Sequence, residues 1–394
     1  MEKAALGFSN TVDYEIQWDS QHLENLIRGV GLCKEDIKDT KDIKNMKDLL
    51  ASVLFHMREG TGCGLLTERP EVIDEFIRGT AYRVALGGTN LRAAEVISAL
   101  GGSALVHLVS VNDETHKLLP KNISWVGGDK FKCCFPHIAI QFPKNAYVKA
   151  NDIEIIAPRE NRVIYSGDTA CAQMPLSREF FIRARGMRAV LLSGFDLIVN
   201  PDILSMRLME VKEELSCFHK DKPLIFYEHA CFSNGKLEDM VRDELRQVID
   251  IYSMNEDEFQ TLAGRKIDLL SEKDVMEGLM LAREKLPSAT IIVHTCFWVL
   301  AIGEQSQDIM KALEYGMLAA STRYWRGTVD KIGIEASGRL LVQKESKVFC
   351  KKMMTAFDLP VRCLPAPDIR VDAPTTVGLG DSFVGGFLYK YCFE

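Results

Sequence analysis

Apolar residues in the second half of the chain fall into short, nearly unbroken runs separated by longer stretches of helical spacing. The runs are Ala189 to Leu192, Leu224 to Tyr227, Ile249 to Met254 and Ala289 to Val293. Between and around them, 201–217, 237–248, 256–262 and 272–285 read as helices. A run that is apolar at every position suits a strand buried on both faces. Strands alternating with helices imply a parallel sheet with right-handed crossovers. Each run ends in polar residues: Ser193-Gly194, Glu228-His229, Asn255 and His294-Thr295. In such a sheet the carboxyl ends share one edge, so Glu228, Asn255 with Glu258, and His294 with Thr295 should converge on one crevice.

The first half is less regular. Ala4 to Phe8 reads as a strand, and Ser9-Asn10-Thr11-Val12-Asp13 follows where that strand should end. Asp13 there could accept bonds from hydroxyls or simply cap a turn. A helix is expected from Thr40, with Ile43, Met46, Leu50, Val53, Leu54 and Met57 at helical spacing, and a second from Pro70 to near Gly79. Gly60 to Gly64 between them is a loop. Val84 to Asn90 reads as an apolar entry, a Gly87-Gly88 turn and a helix start, continued by Ala93, Ala94, Val96, Ile97 and Leu100. Ala104 to Val111 is another strand, and 131–142 and 153–157 are β-rich. The expected organisation is a large unit from 1–12, 80–112 and 160–394, with 13–79 and 113–159 inserted as a lid.

Close to the end stands Thr375-Thr376-Val377-Gly378-Leu379-Gly380-Asp381, followed by an apolar run with small residues. Two glycines one residue apart permit a tight turn, and a helix starting near Asp381 would offer unpaired N–H groups to an anion. A carboxylate at that point could take a proton from a hydroxyl while the amides hold a phosphoryl group, which suits a kinase. The plain alternative is a Gly-rich turn with Asp as helix cap. Phe383, Val384, Phe387, Leu388 and Tyr389 are expected in the core.

Composition narrows the partners. The chain has 394 residues, 47% hydrophobic and 26% charged, with a net charge of -7. That is an ordinary globular balance with no basic footprint, so nucleic acid is not an expected partner. Eleven cysteines carry no C-x-x-C pair, which fits small apolar residues in a reducing compartment. No apolar run approaches a membrane span and no signal-like segment follows Met1, so the expectation is a cytoplasmic protein without membrane contact. The Gly-Lys-Ser/Thr phosphate loop and the protein-kinase signatures are absent. The Gly380-Asp381 helix start would then hold the phosphate, with Glu228 and Glu258 available for magnesium.

Gly378-Leu379-Gly380-Asp381, the N-x-x-E sequence Asn255-Glu256-Asp257-Glu258 and the Gly87-Gly88 turn resemble the ribokinase superfamily of sugar kinases. Thr376 to Asp381, His294-Thr295, Asn161-Arg162-Val163-Ile164 and His137 to Pro143 resemble, more narrowly, the ADP-dependent glucokinase and phosphofructokinase family. The resemblance implies an α/β fold: a ribokinase-like three-layer domain with a mostly parallel central sheet, plus a smaller α/β lid. It implies transfer of the β-phosphoryl of Mg·ADP to a hexose or hexose phosphate, giving AMP, in a monomer or small homo-oligomer. Asp381 would be the base, with Gly378 and Gly380 in the anion hole. Glu228, Glu258 and Asp381 would act on Mg²⁺; Asn255, His294, Thr295 and Arg162 would meet the nucleotide; Asp13, Gly88, Thr89 and His137 would face the sugar.

Three departures qualify it. The family's H-x-E reads Phe226-Tyr227-Glu228 here, its N-x-N-x-D reads Ser9 to Asp13, and Gly62-Cys63-Gly64 lacks the sugar-binding Glu of the glucokinase branch. The last favours a phosphofructokinase-like acceptor over glucose, and Arg159, Arg183, Arg185 and Lys132 are candidate sugar-phosphate contacts. The alternatives are an ATP-dependent sugar or nucleoside kinase of the superfamily, or a catalytically silent nucleotide-binding homologue.

Overall fold

A computed structural model describes residues 2–40, 42–67, 69–131, 136–218, 222–232, 234–371 and 374–394. Its strands are β1 (Ala4–Leu6), β2 (Thr11–Ile16), β3 (Cys63–Leu66), β4 (Tyr82–Gly87), β5 (Ala104–Leu108), β6 (Ser124–Gly127), β7 (His137–Phe142) and β8 (Tyr147–Ala150). They continue with β9 (Ile153–Ile156), β10 (Asn161–Ser166), β11 (Ala189–Leu192), β12 (Leu224–Glu228), β13 (Ile251–Asn255), β14 (Thr290–His294), β15 (Trp298–Ile302) and β16 (Val361–Pro365).

Nine of these form one sheet in the order β16-β15-β14-β13-β12-β11-β1-β5-β6. The pairings from β14 across to β6 are parallel, and β15 and β16 add an antiparallel edge. Successive residues of a strand point to opposite faces, and both faces of this sheet are covered. Ala5, Val190, Leu192, Ile225 and Tyr227 enter one core, while Ala4, Leu6, Ala189, Leu191 and Phe226 enter the other. That is why these strands are apolar at nearly every position. The sequence pattern assigns nothing between 296 and 374. The structure places there β15, β16 and the helices Met310–Arg326, Lys331–Gly338 and Lys344–Met353.

A second sheet has the order β3-β10-β7-β2-β4, and β8 pairs with β9 alone. Its strands alternate strictly. Ile138, Ile140 and Phe142 of β7, Val163 and Tyr165 of β10, and Leu65 of β3 enter a separate apolar core with the helix Met46–Glu59. The intervening residues, including Asp13, Glu15, His137, Gln141, Arg162 and Gly64, share the other face through the registers Asp13↔His137, Arg162↔Gln141 and Ile164↔Gly64.

Several expectations shift. Thr11 to Asp13 is not a strand-ending turn but the start of β2, which runs antiparallel to β4. β4 and β10, expected with the large unit, hydrogen-bond into the smaller sheet, whereas β6, expected in the lid, joins β5 in the large one. Both follow from pairing partners distant in sequence. The helix expected from Thr40 begins at Met46, because Asn45 supplies the N-cap by accepting from the Asp48 amide. No disulfide occurs among the described cysteines, and Cys133, Cys134 and Lys132 lie outside the described residues. Among the described residues no helix is long and apolar enough to cross a membrane.

Candidate active site

The helix Leu379–Phe393 starts at Gly378, which holds φ 77°, a conformation costly for a residue with a side chain. The Ser382 amide makes the first intrahelical bond, to the Gly378 carbonyl at 3.0 Å. Upstream of it, the amides of Gly380 and Asp381 find no acceptor among the described residues. The helix start is therefore a pair of open donors beside a carboxylate. A methyl on Gly380 would sit 3.4 Å from Glu228 Oε1 and 3.6 Å from His294 Cε1, so the turn packs directly on the strand ends.

Those strand ends converge as expected. Glu228 closes β12, Asn255 closes β13 and His294 closes β14, with Asn255 opposite His294 in register. His294 Nε2 lies 3.1 Å from Glu228 Oε1, and its ring stacks on Phe383 at 4.7 Å. Glu228 Oε2 is buried with no partner among the described residues. Glu258 is also buried, and its carboxylate accepts from the Asn255 amide at 2.8 Å. Burial and then the Glu228 charge push the Glu258 carboxyl well above the usual carboxylate range, against the Asn255 amide. Asp196, on the short turn Phe195–Leu197 after β11, joins them. Burial and the charge of Asp381 push its carboxyl up to about 6.

This is the arrangement a divalent cation relieves: crowded buried carboxylates with an unpartnered oxygen. No three acidic, His or Cys side chains among the described residues are close enough to hold a metal by themselves. Mg²⁺ usually keeps waters and substrate phosphates as ligands, so the donor set fits Mg²⁺ held partly by a nucleotide.

Two residues expected at the nucleotide have local duties. Asn255 Oδ1 accepts from the amides of Asp257 and Glu258 as a helix cap, which leaves its NH₂ for a ligand. Thr295 Oγ1 donates to Trp298 O and accepts from the amides of Phe297 and Trp298, closing the β14–β15 turn. Arg162, on β10, has Nη1 3.5 Å from Asn161 Oδ1 and lies near enough to Glu258 to favour its ionised form.

Of the residues expected at the sugar, Asp13 and His137 are neighbours across β2 and β7. His137 Nε2 is buried and has no hydrogen-bond partner among the described residues, and burial holds the imidazole below its usual range despite Asp13 and Asp168. Gly88 heads the helix Thr89–Ala99 at φ 82°, where a methyl would lie 2.1 Å from Ser9 O. Only glycine fits there, and Thr89 is the next residue.

Arg92, one turn further on, is unforeseen by the sequence. It is 5% exposed, and its Nη2 donates to Asp13 Oδ2 at 2.8 Å and Glu15 Oε1 at 3.1 Å. Its Nε stands 3.8 Å from Asp381 Oδ2. Asp13 Oδ1 accepts from Thr11 Oγ1 at 2.7 Å. Burial works against the Arg92 charge, but Asp13, Asp381 and Glu15 outweigh it and hold the guanidinium protonated. The β2 alternation Thr11-Val12-Asp13-Tyr14-Glu15-Ile16 is the signal that could have revealed a polar strand face needing a cation.

The smaller sheet reaches the helix start directly. Gln141 Oε1 accepts from the Thr376 amide and hydroxyl at 3.1 and 3.2 Å. Tyr324 donates to Glu160 at 2.7 Å. Of the candidate sugar-phosphate contacts, Arg183 pairs with Glu2, at the opposite end of the parallel strands, and Arg185 pairs with Glu214. Arg159 Nε donates to Gly60 O. Phe226, where the family's histidine would stand, packs on Phe387 at 5.0 Å.

The parallel sheet, the helix start at its carboxyl edge and the smaller sheet across it define a ribokinase-like kinase architecture. Residues 2–389 match the model of the ADP-specific phosphofructokinase/glucokinase conserved region, and the chain belongs to that family of ADP-dependent sugar kinases. It is similar to an ADP-dependent glucose/glucosamine kinase of Pyrococcus abyssi, 24% identical over 74% of this chain and 70% of that protein. A phosphofructokinase from Pyrococcus horikoshii OT3 solved with AMP superposes with a TM-score of 0.73 at 17% identity, covering 99% of this chain and 98% of the other. An ADP-dependent kinase solved with fructose 6-phosphate and ADPβS superposes with a TM-score of 0.78 at 15% identity, covering 99% and 94%.

Proposed function

We propose that the protein transfers the β-phosphoryl group of Mg·ADP to a hydroxyl of a hexose phosphate, releasing AMP, with a fructose 6-phosphate-type acceptor preferred over glucose. The observation that carries the reading is the helix start: unpartnered amides at Gly380 and Asp381 beside the Asp381 carboxylate, facing Asp13 and His137 across Arg92. Asp381 removes the proton of the acceptor hydroxyl as its oxygen bonds to the β-phosphorus. The bond from that phosphorus to the bridging oxygen breaks, and AMP leaves with the electron pair. The amides of Gly380 and Asp381 hold the developing charge.

Glu228 and Glu258 would hold Mg²⁺ directly or through water, and Mg²⁺ supplies charge neutralisation of the phosphates. Asn255, His294 and Arg162 line the nucleotide side. On the acceptor side, His137 Nε2 and Asp13 orient hydroxyls, with Gly88 and Thr89 permitting close approach. The exposed Gly64, which offers no carboxylate, supports a sugar phosphate over glucose. The smaller sheet acts as the lid, tied to the large unit by Gln141–Thr376 and Glu160–Tyr324.

The deciding experiment assays ADP and ATP against glucose, fructose 6-phosphate and other sugars. Turnover with ADP and a clear fructose 6-phosphate preference is expected. Preference for ATP, preference for glucose, or nucleotide binding with no turnover would each reject the corresponding part.

A further inference from the structure

We infer that Arg92 is a catalytic residue that contacts the phosphoryl group during transfer, rather than only neutralising the acidic residues around it. The inference rests on the kinase reading above and adds a residue to it. The guanidinium has three edges with three different duties. Nη2 is committed to Asp13 and Glu15. Nε faces Asp381. Nη1 makes no hydrogen bond among the described residues and lies against Gly378, where a methyl would stand 3.0 Å from it. Its open donors therefore sit at the corner where the amides of Gly380 and Asp381 are also unpartnered. An anion on the helix start would complete the planar fork, a geometry that guanidinium offers and ammonium does not.

Charge neutralisation alone would not require this placement. Glu15 already accepts from Arg83 Nε at 3.1 Å, and Arg323 Nη2 stands 3.8 Å from it. Arg323 itself is occupied by the carbonyls of Val377 and Gly327. Asp381 and a phosphoryl group repel one another, and a cation touching both lets the base and the transferred group share one corner. Through Nη2 the same guanidinium fixes Asp13, so acceptor side and phosphoryl side move as one unit.

The test compares Arg92→Lys and Arg92→Ala with the unaltered full chain, using ADP and its best acceptor. Arg92→Lys should retain the fold and an ADP KM within about threefold, while kcat falls by about 100-fold or more, as for loss of a transition-state arginine. Millimolar guanidinium should restore part of the Arg92→Ala turnover, which no purely structural role predicts. A readout without turnover is the joint binding of AMP and tetrafluoroaluminate, which should weaken by about the same factor in Arg92→Lys. A kcat for Arg92→Lys within about threefold of the unaltered chain, with unchanged fluoride-complex affinity, overturns the inference alone. An unaltered chain inert toward every acceptor overturns the kinase reading and this inference together.

Discussion

The edge of the large sheet and the polar face of the smaller sheet meet at one site but are built differently. Glu228, Asn255 and His294 sit where parallel strands end, and Gly378 to Asp381 where a helix begins. Each is held by local backbone geometry: a cap, a turn, an unsatisfied amide. Asp13, Glu15, His137 and Gln141 instead sit within strands, aimed by alternation and by pairings with residues up to 124 positions away in register. Asp13 is balanced from a third element, by Arg92, and Glu15 by Arg92 together with Arg83 of the neighbouring strand. The side proposed for the nucleotide is thus a set of local motifs, and the side proposed for the acceptor is a product of register. Motifs of the first kind can be read residue by residue; the second kind cannot.

The largest expected effect lies at the junction. Asp381→Asn should cut turnover by about 10³-fold while ADP binding, measured by calorimetry, is retained. Near-normal turnover would remove Asp381 from the chemistry. On the register-built side, Asp13→Asn should lower kcat/KM for the acceptor by about thirtyfold, the value of a charged hydrogen bond, and leave the ADP KM unchanged. An equal effect on both substrates would dissolve the distinction between the two sides. On the motif-built side, Glu258→Gln should raise the magnesium concentration for half-maximal activity by about tenfold. It should also raise the metal-free melting temperature, because it removes a buried carboxylate repelled by Glu228. An unchanged magnesium titration would exclude Glu258 from the metal site.

Asp196 gives a pH signature. Its carboxyl is held at about 6 in the folded state against 3.8 ordinarily, so the folded chain keeps a proton that the unfolded chain releases. Stability from this group therefore falls as pH rises from about 4 to about 6 and is constant above that window. Urea midpoints across the window should fall less steeply with pH in Asp196→Asn than in the unaltered chain, Glu258 contributing the same sense of slope in both. Equal slopes in the two chains would remove Asp196 from this window. The smallest effect is expected from Gly64→Glu. A side chain there meets open space, so the fold should be unaffected. The added carboxylate should shift the preference toward glucose by about threefold, one shared hydrogen bond in partial solvent. No shift in the ratio of kcat/KM values would separate Gly64 from acceptor choice.

Much of this was legible. The continuous apolar runs identified β11 to β14 because strands buried on both faces leave no choice of residue, and the polar ends marked the site edge. The turn at Gly378 was legible because left-handed backbone and a close approach both demand glycine, although its helix begins at Leu379 rather than near Asp381. The antiparallel strand β15 was not, since a strand that follows a turn carries no crossover helix to mark it. Thr295 shows the limit of position alone: it stands at a site edge yet spends its hydroxyl on a turn.

The sequence by itself determined the parallel sheet, the convergence of Glu228, Asn255, Glu258 and His294, and the phosphate-shaped turn at Gly378 to Asp381. Each depends on contacts within a few residues or on a rule that all parallel sheets obey. Only the tertiary structure decided that β4 and β10 belong to the smaller sheet, that Asp13 lies within a strand, and that Arg92 joins it to Asp381. A one-residue slip in any of those pairings would turn the polar face inward. What excludes the slip is the apolar core on the other side of the sheet, formed by residues from Ile16 to Tyr165, and no single segment of the chain contains it.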